Sequence, residues 1–305
     1  MRTPVPQGGP VATNNSRKTK AERVADSRAR ARQMQEQQRR RERRNRTIAI
    51  WGTVGAIVLV VGLVIAFVLT RGSQSIPDQG EAASIANQQG GVTMTGKKTL
   101  AEPKDKLGAE VDAAAVNVPE EPSEEQPESI PGAEEPADGD PAQIVIYADF
   151  NCSYCAEFEE TNNGYLQDLM AEGKATVEYR MVGFLDRPGT GNYSSRAAAA
   201  SYCVAEEAPE SYDAFVSDVF ATFSEKMSAG LSDDELIAIA NSAGADISSC
   251  VKDGTYRPMV KYTTAKAQEA KIPGTPGVFV NGKNWAVDGK DQSFQEFADA
   301  QMGDE

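Results

Sequence analysis

Twenty-four consecutive residues, 47–70 (TIAIWGTVGAIVLVVGLVIAFVLT), carry no charged side chain. This run limits the arrangement of the chain more than any other feature. As a helix it would span roughly 36 Å, enough to cross a bilayer core of about 30 Å with some tilt. A helix buried in a soluble core would keep a polar stripe, and this one has none. A cleaved signal peptide would have a shorter apolar region ending in a small-residue site, and FVLTRGSQS offers no Ala-x-Ala pattern. The run reads as an uncleaved transmembrane signal anchor.

Charge orients it. Residues 1–46 carry 14 Lys+Arg against 4 Asp+Glu, and RRRERRNR directly precedes the run, whereas Arg71 alone follows closely. The excess of basic residues before the span places the amino terminus in the cytoplasm and the rest outside. The basic segment, 1–46, reads as a disordered topogenic tail attracted to anionic lipid rather than as a nucleic-acid arm. Beyond it the chain holds 17 basic and 41 acidic residues. Such a surface repels phosphates, so nucleic acid is not an expected partner.

Residues 71–141 include VPEEPSEEQPESIPGAEEPADGDP and have no aromatics. By composition this segment buries too little apolar surface to offset its ordering entropy. It reads as an acidic, Pro-rich linker with a coil reach of roughly 45 Å, although AAAVNV at 113–118 could add an edge strand. The expected globular domain is 142–305. QIVIYADF reads as a buried strand, the segment after Cys152 as a helix, and ATVEYRMV as an alternating strand, which together make a βαβ unit. Helical patterns fill about 190–271, with Ser232 as an N-cap before an acidic first turn. GVFVNGK and NWAV read as two strands joined at Asn281–Gly282, and SFQEFADAQM as a closing helix. The order predicts an α/β thioredoxin fold with an inserted helical subdomain.

The chain has four cysteines and no histidine. Zinc normally takes four Cys or His ligands, and Cys203 and Cys250 form no second Cys-x-x-Cys, so no metal site is expected. In an exported helical section these two read as a structural disulfide worth roughly 4 kcal/mol on the chain-entropy model. A second redox pair is the alternative. Cys152 and Cys155 stand at a predicted strand-to-helix junction. There the helix dipole and unpaired N–H groups favour a thiolate, and the second sulfur, one turn on, can attack a mixed disulfide made by the first.

IVIYADFNCSYCAEFE, VEYRMVGFLDR, YSSRAAAASYCVAE and KIPGTPGVFVNGK resemble, in order, segments of DsbA-like members of the thioredoxin superfamily, in particular the membrane-anchored proteins of actinobacteria. The resemblance runs from about Gln143 to the C-terminus. It implies an exposed nucleophile at Cys152 and a buried resolving partner at Cys155. It also implies a substrate-presenting cis-proline at Pro276 preceded by Thr275, and an additional disulfide corresponding to Cys203 and Cys250. Asp149 matches an acidic position common in this branch, where it would relay protons or cap a turn. Ser153-Tyr154 departs from the Pro-His of strongly oxidising DsbA enzymes. Tyr154 together with Thr275 is more similar to the disulfide isomerases, whose dimerisation domain is not visible here.

The implied function is extracytoplasmic thiol–disulfide exchange with secreted or surface proteins, without a cofactor. A membrane redox partner and membrane lipid at the anchor complete the expected contacts. Disulfide isomerase or reductase activity, or a redox-inert peptide-binding module, are the alternatives. With no imidazolium available and Asp149, Glu157 and Glu159 near the motif, the Cys152 pKa is expected on the order of 5 to 7.5, above that of DsbA.

Overall fold

Residues 142–148 send successive side chains to opposite faces of a sheet, and both faces are covered. Ile144, Ile146 and Ala148 join a large apolar cluster with the helices, while Val145 and Tyr147 join a smaller one with Phe279 and Ile272. This is why the strand reads as an unbroken apolar run. The computed structural model describes residues 75–223 and 230–303. The expected tail at 1–46 and anchor at 47–70 lie outside these residues. Among the described residues no helix is long and apolar enough to cross a membrane.

The strands are β1 (Gln79–Glu81), β2 (Val92–Gly96), β3 (Thr99–Leu100), β4 (Glu110–Asp112), β5 (Ala142–Ala148), β6 (Ala175–Met181), β7 (Gly277–Val280) and β8 (Lys283–Asn284). One sheet has six strands in the order β3-β2-β6-β5-β7-β8, and β1 pairs with β4 separately. β5 and β6 are parallel, joined through helix α1 (Ser153–Ala171), and β7 returns antiparallel to β5. This is the expected thioredoxin-like α/β arrangement. The helical section holds α2 (Tyr193–Glu207), α3 (Tyr212–Ala221), α4 (Asp233–Ala243), α5 (Ser248–Asp253) and α6 (Arg257–Glu269). Ser232 caps α4 in a reciprocal box with Glu235. The β7–β8 hairpin turns at Asn281 and Gly282, at φ of 50° and 79°, as an Asn-Gly turn requires. NWAV does not continue it as a strand: Asn284 caps a short helix, α7 (Trp285–Asp288), through a bond accepted from Ala286 N–H. The chain closes with α8 (Phe294–Met302).

The expected linker at 71–141 needs the largest correction. β2 pairs antiparallel with β6 and so extends the main sheet, burying Val92 and Met94, while Ala82, Ala83 and Ala86 pack into the same cluster. Residues 113–115 form a single 3-10 turn capped by Asp112 instead of the expected edge strand. The Pro- and Glu-rich stretch that follows is held by its backbone rather than its side chains. Asn284 Nδ2 donates to the Pro127 carbonyl at 2.7 Å, Arg180 Nη1 to Pro131 at 2.9 Å, and Gln143 Nε2 to Gly132 at 3.0 Å. Ile130 and Ala133 are its only apolar anchors buried against the sheet. Composition measures what side chains bury, and here main-chain hydrogen bonds supply most of the attachment.

Cys203 on α2 is bonded to Cys250 on α5, with Cα atoms 6.0 Å apart. The four cysteines therefore do not form one ligand set. Replacing both with Ala is expected to cost about 4 kcal/mol of stability, since the bond closes a long loop. Urea unfolding measures this, and disulfide exchange by Cys152 and Cys155 should survive under native conditions.

Candidate active site

β5 ends at Ala148, and the next four residues turn the chain into α1. Asp149 makes that turn. Its carboxylate accepts from the Asn151 N–H at 2.8 Å and from the Leu185 N–H at 2.9 Å, while its carbonyl accepts from the Cys152 N–H at 3.0 Å. The side chain is wholly buried, and burial raises its pKa to about 6. It thus performs the turn-capping role directly and joins the 183–185 loop to the cysteine loop.

Cys152 occupies the N-cap of α1, with extended backbone and no side-chain cap. Helix formation beyond it follows from buried positions Cys155, Phe158, Asn162, Leu166 and Leu169, which repeat every three or four residues. The Cys152 thiol donates to the Thr275 carbonyl at 3.3 Å, and the Thr275–Pro276 peptide is cis. The cis-proline loop and the Cys-x-x-Cys helix, far apart in sequence, therefore meet at this sulfur. Its pKa is lowered to about 6, first by a hydrogen bond from the Cys155 thiol, with further donation from Thr275 and from the backbone of Cys155 and Tyr154 outweighing burial. The value falls in the expected range, but the leading cause is the partner thiol rather than the dipole alone. Cys155 is 1% exposed, and burial pushes its own thiol well above the usual range. The two shifts run in opposite directions and favour ionisation at Cys152 over Cys155.

Two expectations change. Cys152, the implied exposed nucleophile, is only 6% exposed. It reaches solvent through a groove of about 830 Å³ whose lining includes Asn151, Tyr154, Phe184, Leu185, Ile272 and Thr275. Glu159 is not a nearby free charge, because it is buried and accepts a short hydrogen bond from Tyr179. Sequence reasoning missed Asn151 and residues 118–123 as parts of this groove. The adjacency of Asn151 to Cys152 was the available signal for the first, and a proline-bounded composition concealed the second.

Titrating the thiolate absorbance of the reduced protein should give a Cys152 midpoint near 6. Changing Cys155 to Ala removes the largest donor and should move that midpoint upward. An unmoved midpoint would assign the stabilisation to backbone amides.

The sequence model of a family described as thioredoxin matches residues 137–300. Serine/threonine-protein kinase PknE of Mycobacterium tuberculosis is 31% identical over 150 residues, 46% of this chain and 26% of the kinase, so the chain spans about a quarter of that relative's length. Probable disulfide bond formation protein D of Bacillus cereus is 24% identical over 150 residues, covering 48% of this chain and 68% of the relative. Among solved structures, the reduced disulfide bond oxidoreductase DsbG of M. tuberculosis is 27% identical with a TM-score of 0.48, covering 57% of this chain and 84% of that one.

Proposed function

We infer that this chain, which belongs to the thioredoxin family, is a DsbA-like protein thiol–disulfide oxidoreductase. The observation that carries the reading is the placement of the Cys152 sulfur. It lies at the N-cap position of α1, 3.3 Å from the Thr275 carbonyl of the cis Thr275–Pro276 peptide, with Cys155 buried one turn further on. In the oxidising direction, a substrate thiolate attacks the Cys152 sulfur of a Cys152–Cys155 disulfide. Cys155 leaves as a thiolate and takes a proton, and Asp149, raised to about 6, is the nearby group suited to exchange it. A second substrate thiolate then attacks the substrate sulfur of the mixed disulfide and releases Cys152 as a thiolate. The substrate gains a disulfide, and two electrons remain on the dithiol until a membrane redox partner accepts them. The same steps in reverse reduce a disulfide.

The test is oxidative refolding of a reduced, unfolded secreted protein by the oxidised full chain, with a scrambled-disulfide substrate run in parallel. Formation of correct disulfides supports an oxidase. Activity on the scrambled substrate alone supports the isomerase reading, and inactivity in both supports a redox-inert module. A Cys152 thiolate with a pKa near 6, against roughly 3.5 in DsbA, stabilises the dithiol less. The expected reduction potential is accordingly less oxidising than roughly −120 mV, as equilibration with glutathione would measure.

The charge step around residues 47–70 supports a single-pass anchor with the catalytic domain outside the cytoplasm, acting on cysteine-containing exported proteins. Protease added to intact cells should degrade residues 142–305 and spare the basic tail. Protection until lysis would overturn this orientation.

A further inference from the structure

Residues 118–123, Val-Pro-Glu-Glu-Pro-Ser, line the same groove as Cys152, Tyr154 and Thr275. They belong to a strap tied down on both sides. Upstream, the Asn117 N–H donates to Glu269 at 3.4 Å; downstream, Asn284, Arg180 and Gln143 hold the carbonyls of Pro127, Pro131 and Gly132. Two prolines within 118–123 limit its backbone further. The strap is thus a built part of the groove rather than a loop passing over it.

Its chemistry is one-sided. Residues 118–128 contain five glutamates and no Lys or Arg, and Glu120 and Glu121 are exposed at the groove. Arg187 and Lys271 also line the groove, within a region beyond residue 46 that holds 41 acidic against 17 basic residues. A second observation lies on the groove wall beside Cys152. Asn151 is 5% exposed, and its buried Oδ1 has no hydrogen-bond partner. A buried amide oxygen left unpaired is costly, and an N–H arriving with a ligand would satisfy it.

Resting on the reading of this groove as the exchange site, we propose that it selects extended cysteine-bearing segments with basic residues beside the cysteine. Glu120 and Glu121 receive the basic side chains, and Asn151 Oδ1 accepts a backbone N–H from the segment. An extended chain presents free N–H groups, whereas a cysteine within a folded helix or sheet has already paired its own. The field of the strap and the wider acidic surface draws cationic segments in, an effect that acts mainly on association and weakens with salt.

The experiment uses the oxidised full chain in detergent and two reduced, unstructured dithiol peptides that differ only in Lys or Glu flanking the cysteines. At low salt the Lys peptide is expected to react with a kcat/KM about three-fold or more higher, the size of effect that two exposed charge contacts can supply. The preference should collapse in 1 M salt and in the Glu120→Gln/Glu121→Gln variant. Asn151→Leu should raise KM several-fold for both peptides while the Cys152 thiolate midpoint stays near 6. Equal rates for the two peptides, or a preference for the Glu peptide, would overturn the proposal while leaving the oxidoreductase reading intact. Failure to oxidise either peptide would count against that reading itself.

Discussion

Replacing Cys152 with Ser is expected to lower the rate of disulfide exchange by about a thousandfold or more, to the uncatalysed level. The loss should be that complete because no other group in the site can take over. A serine hydroxyl does not ionise at neutral pH and cannot form a disulfide. Cys155 is 1% exposed and its thiol is held protonated, so it reaches no substrate. Far-UV circular dichroism should be unchanged, because Cys152 contributes no side-chain cap to α1. Cys155→Ala should behave differently. It keeps a nucleophile but lacks the resolving thiol, so it should accumulate mixed disulfides visible on non-reducing gels. Substantial exchange by the Cys152→Ser protein would refute the assignment of the nucleophile.

Arg180→Leu is expected to destabilise the domain by about 3–5 kcal/mol, the cost of leaving a buried partner charge uncompensated. Arg180 is fully buried, with Nε 2.6 Å from Glu178 and Nη1 donating to Tyr147 Oη at 2.7 Å. Burial works against its charge, but Glu178 and Tyr147 more than offset that cost. Removing the guanidinium strands the Glu178 carboxylate, 2% exposed, frees the strap carbonyl of Pro131 and leaves that of Gly132 to Gln143 alone. Changing Glu178 to Leu as well should recover a large part of the loss, since an apolar pair needs no compensation. Urea denaturation of the two variants measures both effects. A double variant no more stable than the single one would show that the strap contacts, not the stranded charge, dominate.

What the sequence revealed was local. The βαβ unit, the Asn281–Gly282 turn and the Ser232 cap each rest on a few adjacent residues whose spacing sets the geometry. Pro276 was identifiable because GTPG precedes an apolar strand in a recurring motif. Glu178 and Arg180 were hidden by the same alternation that revealed β6: in ATVEYRMV the charged positions read as a solvent face. Arg180 on that face instead donates to Tyr147 Oη and to the strap carbonyls of Pro131 and Gly132, a fact residing entirely in distant residues. β2 was hidden differently. Five residues with Gly at the end and two threonines carry little pattern, and their pairing with β6 is made by backbone groups.

That pairing has a consequence for biogenesis. β2 leaves the ribosome long before β6, whose first residue is Ala175, so the earliest part of the domain to be synthesised must wait for its neighbour. Contacts this remote in sequence form late because loop closure precedes their reward. Conversely, a polypeptide begun at residue 142 would leave β6 as an unpaired edge next to Val177 and Tyr179, a row of open N–H and C=O groups ready to recruit another chain. The smallest piece expected to stay monomeric when expressed alone therefore starts upstream of β1 (Gln79–Glu81), some sixty residues before the first strand that the apolar pattern discloses.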